Sequence, residues 1–72
     1  MIKKLCVIYR RGDVTAAAKV LAPDERTARK AFYSGRLNLC EGCGTEIVAV
    51  EEYNRKLHDR LLEAGKRLRE AV

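Results

Sequence analysis

A turn signal at Arg11-Gly12-Asp13 stands between two apolar runs of strand length, and what the second run becomes decides the architecture. The first run, Lys3-Lys4-Leu5-Cys6-Val7-Ile8-Tyr9-Arg10, is short and rich in β-branched and aromatic residues, so it reads as a strand. The second, residues 14–22, fits two periods: its apolar positions alternate, and they also fall at the helical spacing 14, 17, 18, 21. Its alanines favour a helix. The glycine turn favours a hairpin, however, and Val20-Leu21-Ala22 leads directly into a separate helix start at Pro23, so the reading adopted is a second strand.

Pro23-Asp24-Glu25 opens a helix, because proline loses nothing in a first turn and two carboxylates face the positive end of the dipole. Gly35 closes it. Within it Ala28, Ala31 and Phe32 share one face, and Arg26, Arg29, Lys30 and Tyr33 fall on the opposite one. A loop rich in glycine and cysteine follows over residues 36–46, then a strand over 47–53, then a long helix that begins at Asn54, a suitable N-cap. The expected fold is a single small α+β domain of order ββαβα. It combines an antiparallel hairpin and a third strand, with one helix packed on a face and a C-terminal helix over 54–72.

Seventy-two residues leave a thin core with no room for a deep, walled site, and much of the 47% apolar content is alanine, which buries little area per side chain. No small-molecule substrate is evident. The apolar run Leu5–Tyr9 is too short for a signal peptide and no stretch approaches a membrane span, so a cytoplasmic protein without a membrane partner is the expectation.

The net charge of +5 is unevenly placed. Residues 1–22 carry five basic groups against one acidic, and residues 54–72 six against three, whereas residues 37–53 hold Glu41, Glu46, Glu51 and Glu52 with no lysine or arginine. Lys3, Lys4, Arg10, Arg11 and Lys19 on the hairpin, with Arg26, Arg29, Lys30, Tyr33 and Arg36 on and just beyond the first helix, suit a surface that tracks phosphates. Tyr9 and Tyr33 offer rings for base stacking, or equally a core rim. The leading expectation is therefore a non-catalytic, basic domain that binds nucleic acid or accompanies a nucleoprotein complex.

Two other patterns carry alternatives. Leu39-Cys40-Glu41-Gly42-Cys43-Gly44-Thr45-Glu46-Ile47 resembles one knuckle of a zinc ribbon, in which two thiolates of a C-x-x-C turn point at a tetrahedral metal. The resemblance implies zinc held by Cys40 and Cys43, with Cys6 and His58 as the further ligands the chain can offer; no second C-x-x-C exists, and a domain without a cofactor is the expectation set against it. The last helix places Leu57, Leu61, Ala64, Leu68 and Ala71 on a narrow seam, which packs on its own sheet or meets a protein partner or second copy. The ββα opening and small basic size also resemble, in outline, several phage-borne or mobile-element proteins, some anti-CRISPR proteins among them. That resemblance implies a small inhibitor as the alternative function. Catalysis finds no support in the residues: Ser34 and His58 are the only serine and histidine, and Glu51 and Glu52, adjacent on a strand, point to opposite faces.

Overall fold

The computed structural model describes residues 1–34 and 44–70. Its elements run β1 (Lys3–Arg11), β2 (Val14–Ala22), α1 (Glu25–Ser34), β3 (Thr45–Glu52) and α2 (Arg55–Glu70), the expected α+β order. Residues 14–22 are a strand, and the Gly12 turn explains why. Gly12 has φ 61° and among the described residues no non-glycine residue has a positive φ, so only the first central position of the two-residue turn is left-handed, as a type II′ hairpin requires. That turn matches the twist of the flanking strands and closes the ladder at Arg11↔Val14.

The sheet has the order β2-β1-β3, with β1 antiparallel to both neighbours. Alternation sends Leu5, Val7 and Tyr9 of β1 to one face, where Ala16, Ala18, Val20 and Ala22 of β2 and Ile47 and Val50 of β3 join them. α1 covers this face with Ala28 and Phe32. Phe32 packs against Tyr9 at 4.8 Å between ring centroids, and burying it contributes roughly 1.5–3 kcal/mol. Ala31, expected on the packed face, is exposed, because only positions four apart, 28 and 32, stay under a helix this short.

Both helices are capped by the side chain just before them. Asp24 Oδ1 accepts the Thr27 N–H at 2.8 Å, which holds the Asp24 carboxyl below its ordinary range, so Pro23 precedes the cap rather than sitting in the first turn. Asn54 Oδ1 accepts the Lys56 N–H at 3.0 Å, and the Asn54 carbonyl accepts from His58 at 2.9 Å.

α2 packs along β2. In a hairpin closed by two residues the even positions of β2 bond to β1, so the odd positions, Ala17 among them, turn their main-chain groups outward. Gly65 of α2 is buried against the Ala17 carbonyl. Ala64 and Leu68 reach the same core that α1 covers, while His58, one end of the helix away, lies on the opposite face beside Glu51. α2 therefore straddles the outer edge of β2 and closes both faces there.

β3 carries a bulge: Ile8 pairs with Ala49 and Tyr9 with Ile47, leaving Val48 as the extra residue, 58% exposed. No helix among the described residues is long and apolar enough to cross a membrane.

Candidate nucleic-acid interface

The cations nominated from sequence do not form one surface, because the sheet separates them. Lys3 and Lys4 open β1 beside Ala22 and Leu21, whereas Arg10 and Arg11 close it, about 23 Å away at the usual rise of a strand. Lys19 pairs with Cys6 on the face away from α1, and its ammonium stands 5.4 Å over the ring of Tyr53. Arg36 lies outside the described residues.

What remains gathers at one end. Arg29, Lys30 and Tyr33 of α1 and Thr45, Glu46 and Ile47 of β3 line an open cleft of about 390 Å³. Arg11, paired in register with Thr45, belongs by alternation to the face that α1 covers, and it is half-buried. Arg26 stands one turn before Lys30 on the exposed side of α1. The two carboxylates nearby are engaged: Glu46 with Arg10 at 3.0 Å, and Glu25 with Arg29 at 3.5 Å. Both pairs are exposed and add little to stability. Their effect is on charge, since among the described residues Arg11, Arg26 and Lys30 have no carboxylate within 4.0 Å and the cleft keeps a positive excess.

The tyrosines behave differently from the stacking expectation. Tyr9 is 1% exposed and belongs to the core, so it is not a base-stacking ring. Tyr33 is half-buried and meets Phe32 edge-on at 5.3 Å, which leaves part of its side chain on the cleft wall.

His58 is buried, 1% exposed. Its Nδ1 accepts the Asn54 N–H at 2.8 Å, so the ring proton sits on Nε2, which donates to Glu51 Oε1 at 2.6 Å. Both ring nitrogens are thus spent inside the chain. Cys6 lies on the same sheet face, and burial, aided by the Glu51 carboxylate, pushes its thiol up to about 11. Tyr53 donates to Asp59 at 2.9 Å, and that bond holds its phenol above the ordinary range. Among the described residues no three metal-binding side chains cluster. Cys40 and Cys43 lie outside the described residues. The role of His58 had one signal in the sequence: an acceptor four residues after an N-cap asparagine can close on the cap's own N–H.

Part of the α2 seam packs within the chain. Leu57 is 67% exposed, Leu61 half-buried, and Ala64 and Leu68 pack on the chain's own core; Ala71 lies outside the described residues. The buried axis runs through His58 and Gly65, one position on from the leucine seam, because the helix closes on β2 where its side chain is smallest.

Comparison with protein-family models, with curated proteins and with solved structures finds no match to this chain.

Proposed function

We propose that the chain is a small nucleic-acid-binding domain, non-catalytic, that grips phosphates at the end of the sheet where α1 meets β3. Arg11 and Lys30 are its central contacts, Arg29 its flank, and Arg26 extends the track along α1. The observation that carries this reading is an open cleft lined by Arg29 and Lys30, with Arg11 in register beside its Thr45, whose neighbouring carboxylates are already paired with arginines. Backbone phosphate contacts of this kind supply affinity and register and leave sequence unread. Binding rather than catalysis fits the rest of the molecule, where the one histidine has both nitrogens engaged and the described cysteine is held as a thiol.

The test is affinity for a short duplex and a single strand between 50 and 200 mM salt. Four phosphate contacts make affinity fall about 150-fold over that range, and each cation removed lowers the logarithmic slope by about 0.9. R11A and K30A should do so, while K3A and K4A, at the far end of β1, should leave the slope unchanged. Absence of salt-sensitive binding at low ionic strength, or equal losses from both pairs of variants, rejects the proposal.

A further inference from the structure

The two edges of the sheet are finished differently. The outer edge of β2 lies under α2, with Gly65 on the Ala17 carbonyl. β3 forms the other edge, and among the described residues no strand pairs with its outer side and no backbone hydrogen bond outside the regular elements reaches it. The direction of its main-chain groups follows from the register. Tyr53 N–H donates to the Lys4 carbonyl at 3.0 Å, so even positions of β1 bond towards β3, and their partners Glu51 and Ala49 turn inward. Val50 and Glu52 consequently turn N–H and C=O outward. An open row of this kind is a template for another strand.

Charge decides which strand. Within Ala49–Glu52, Glu51 and Glu52 are exposed, Glu51 also accepting from His58 and Glu52 in no ion pair among the described residues, and the chain has no lysine or arginine from position 37 to 54. Pairing β3 with β3 of a second copy sets carboxylates against carboxylates, and like charges across a ladder destabilise it. The bulge at Val48 ends the regular edge on one side, and the start of α2 ends it on the other. We infer that the outer edge of β3 from Ala49 to Glu52 is a docking edge for a short, extended, lysine- or arginine-rich segment of another protein. This edge is distinct from the cleft at Thr45–Ile47 and does not depend on the reading of that cleft.

The experiment uses the whole chain and three synthetic peptides: one alternating lysine with valine or threonine, the same peptide with glutamate for lysine, and the basic peptide with a central proline. Affinity and amide exchange are read together. The basic peptide should bind and slow exchange at the Val50 and Glu52 amides, the acidic one should bind at least about tenfold more weakly, and the proline version should lose that protection. E52K should reverse the preference between the acidic and basic peptides. Equal binding of the two charge types, binding that leaves the Val50 and Glu52 amides unprotected, or a dimer of the unliganded chain that protects them would each overturn the inference.

Discussion

Gly65 and Ala17 set the spacing between α2 and the sheet: a Cβ on residue 65 would overlap the Ala17 carbonyl oxygen and stand 3.1 Å from the Tyr9 hydroxyl. In an isolated helix, alanine is better than glycine by about 1 kcal/mol. Here the obstacle is main chain, which cannot swing aside as a side chain would, so the sign reverses. G65A should destabilise the protein by about 2–3 kcal/mol, seen as an earlier denaturation midpoint with far-UV helicity retained until unfolding. A stabilised G65A would show that α2 does not close on β2 through this contact.

The pairing of Asn54 with His58 makes a second prediction about the same helix. Because Nδ1 accepts a main-chain N–H, nitrogen-detected NMR should find His58 as the Nε2–H tautomer at neutral pH. H58F preserves much of the volume but strands the Asn54 N–H and removes the donor to Glu51, and should cost about 2–3 kcal/mol. A neutral H58F would reduce the histidine to filler.

Cys6 supplies a pH dependence whose sign can be worked out. Its thiol titrates near 11 in the folded chain against an ordinary value of 9.0. Below 9.0 the group is protonated in both states and its contribution to stability is fully present; between 9.0 and about 11 the unfolded chain ionises first, so stability falls as pH rises. The wild type should lose more stability across that window than C6A does. In the native state near pH 8, alkylation mapped by mass spectrometry should spare Cys6 until denaturant is added. Rapid native labelling at Cys6, or identical high-pH limbs for wild type and C6A, would contradict its burial.

Much of this architecture was legible from local chemistry. Gly12 made the hairpin, because only glycine takes its φ of 61° without cost. Asn54 marked the start of α2, Asp24 lay in the opening of α1, and alternation along Leu5–Tyr9 placed one face of β1 in the core. These are short-range rules, and they survived the ambiguity of Ala16-Ala17-Ala18, whose propensity favours a helix, because the turn binds that segment to β1.

The candidate site was legible only as a set of residue types. The sequence by itself determined the element order, the Asn54 cap and a positive excess on the hairpin and first helix. Which cations stand together was decided by the tertiary structure: the sheet puts Lys19 on one face and α1 on the other, and the length of β1 holds Lys3 and Lys4 away from Arg11. The same holds for burial. The leucine spacing of the last helix suggested a seam through Leu57, yet close approach at Gly65 rotates the buried axis onto His58 and leaves Leu57 in solvent. The physical reason is range, for turns and caps are settled by neighbours in the chain, whereas the side of a helix that becomes interior depends on the surface it lands against.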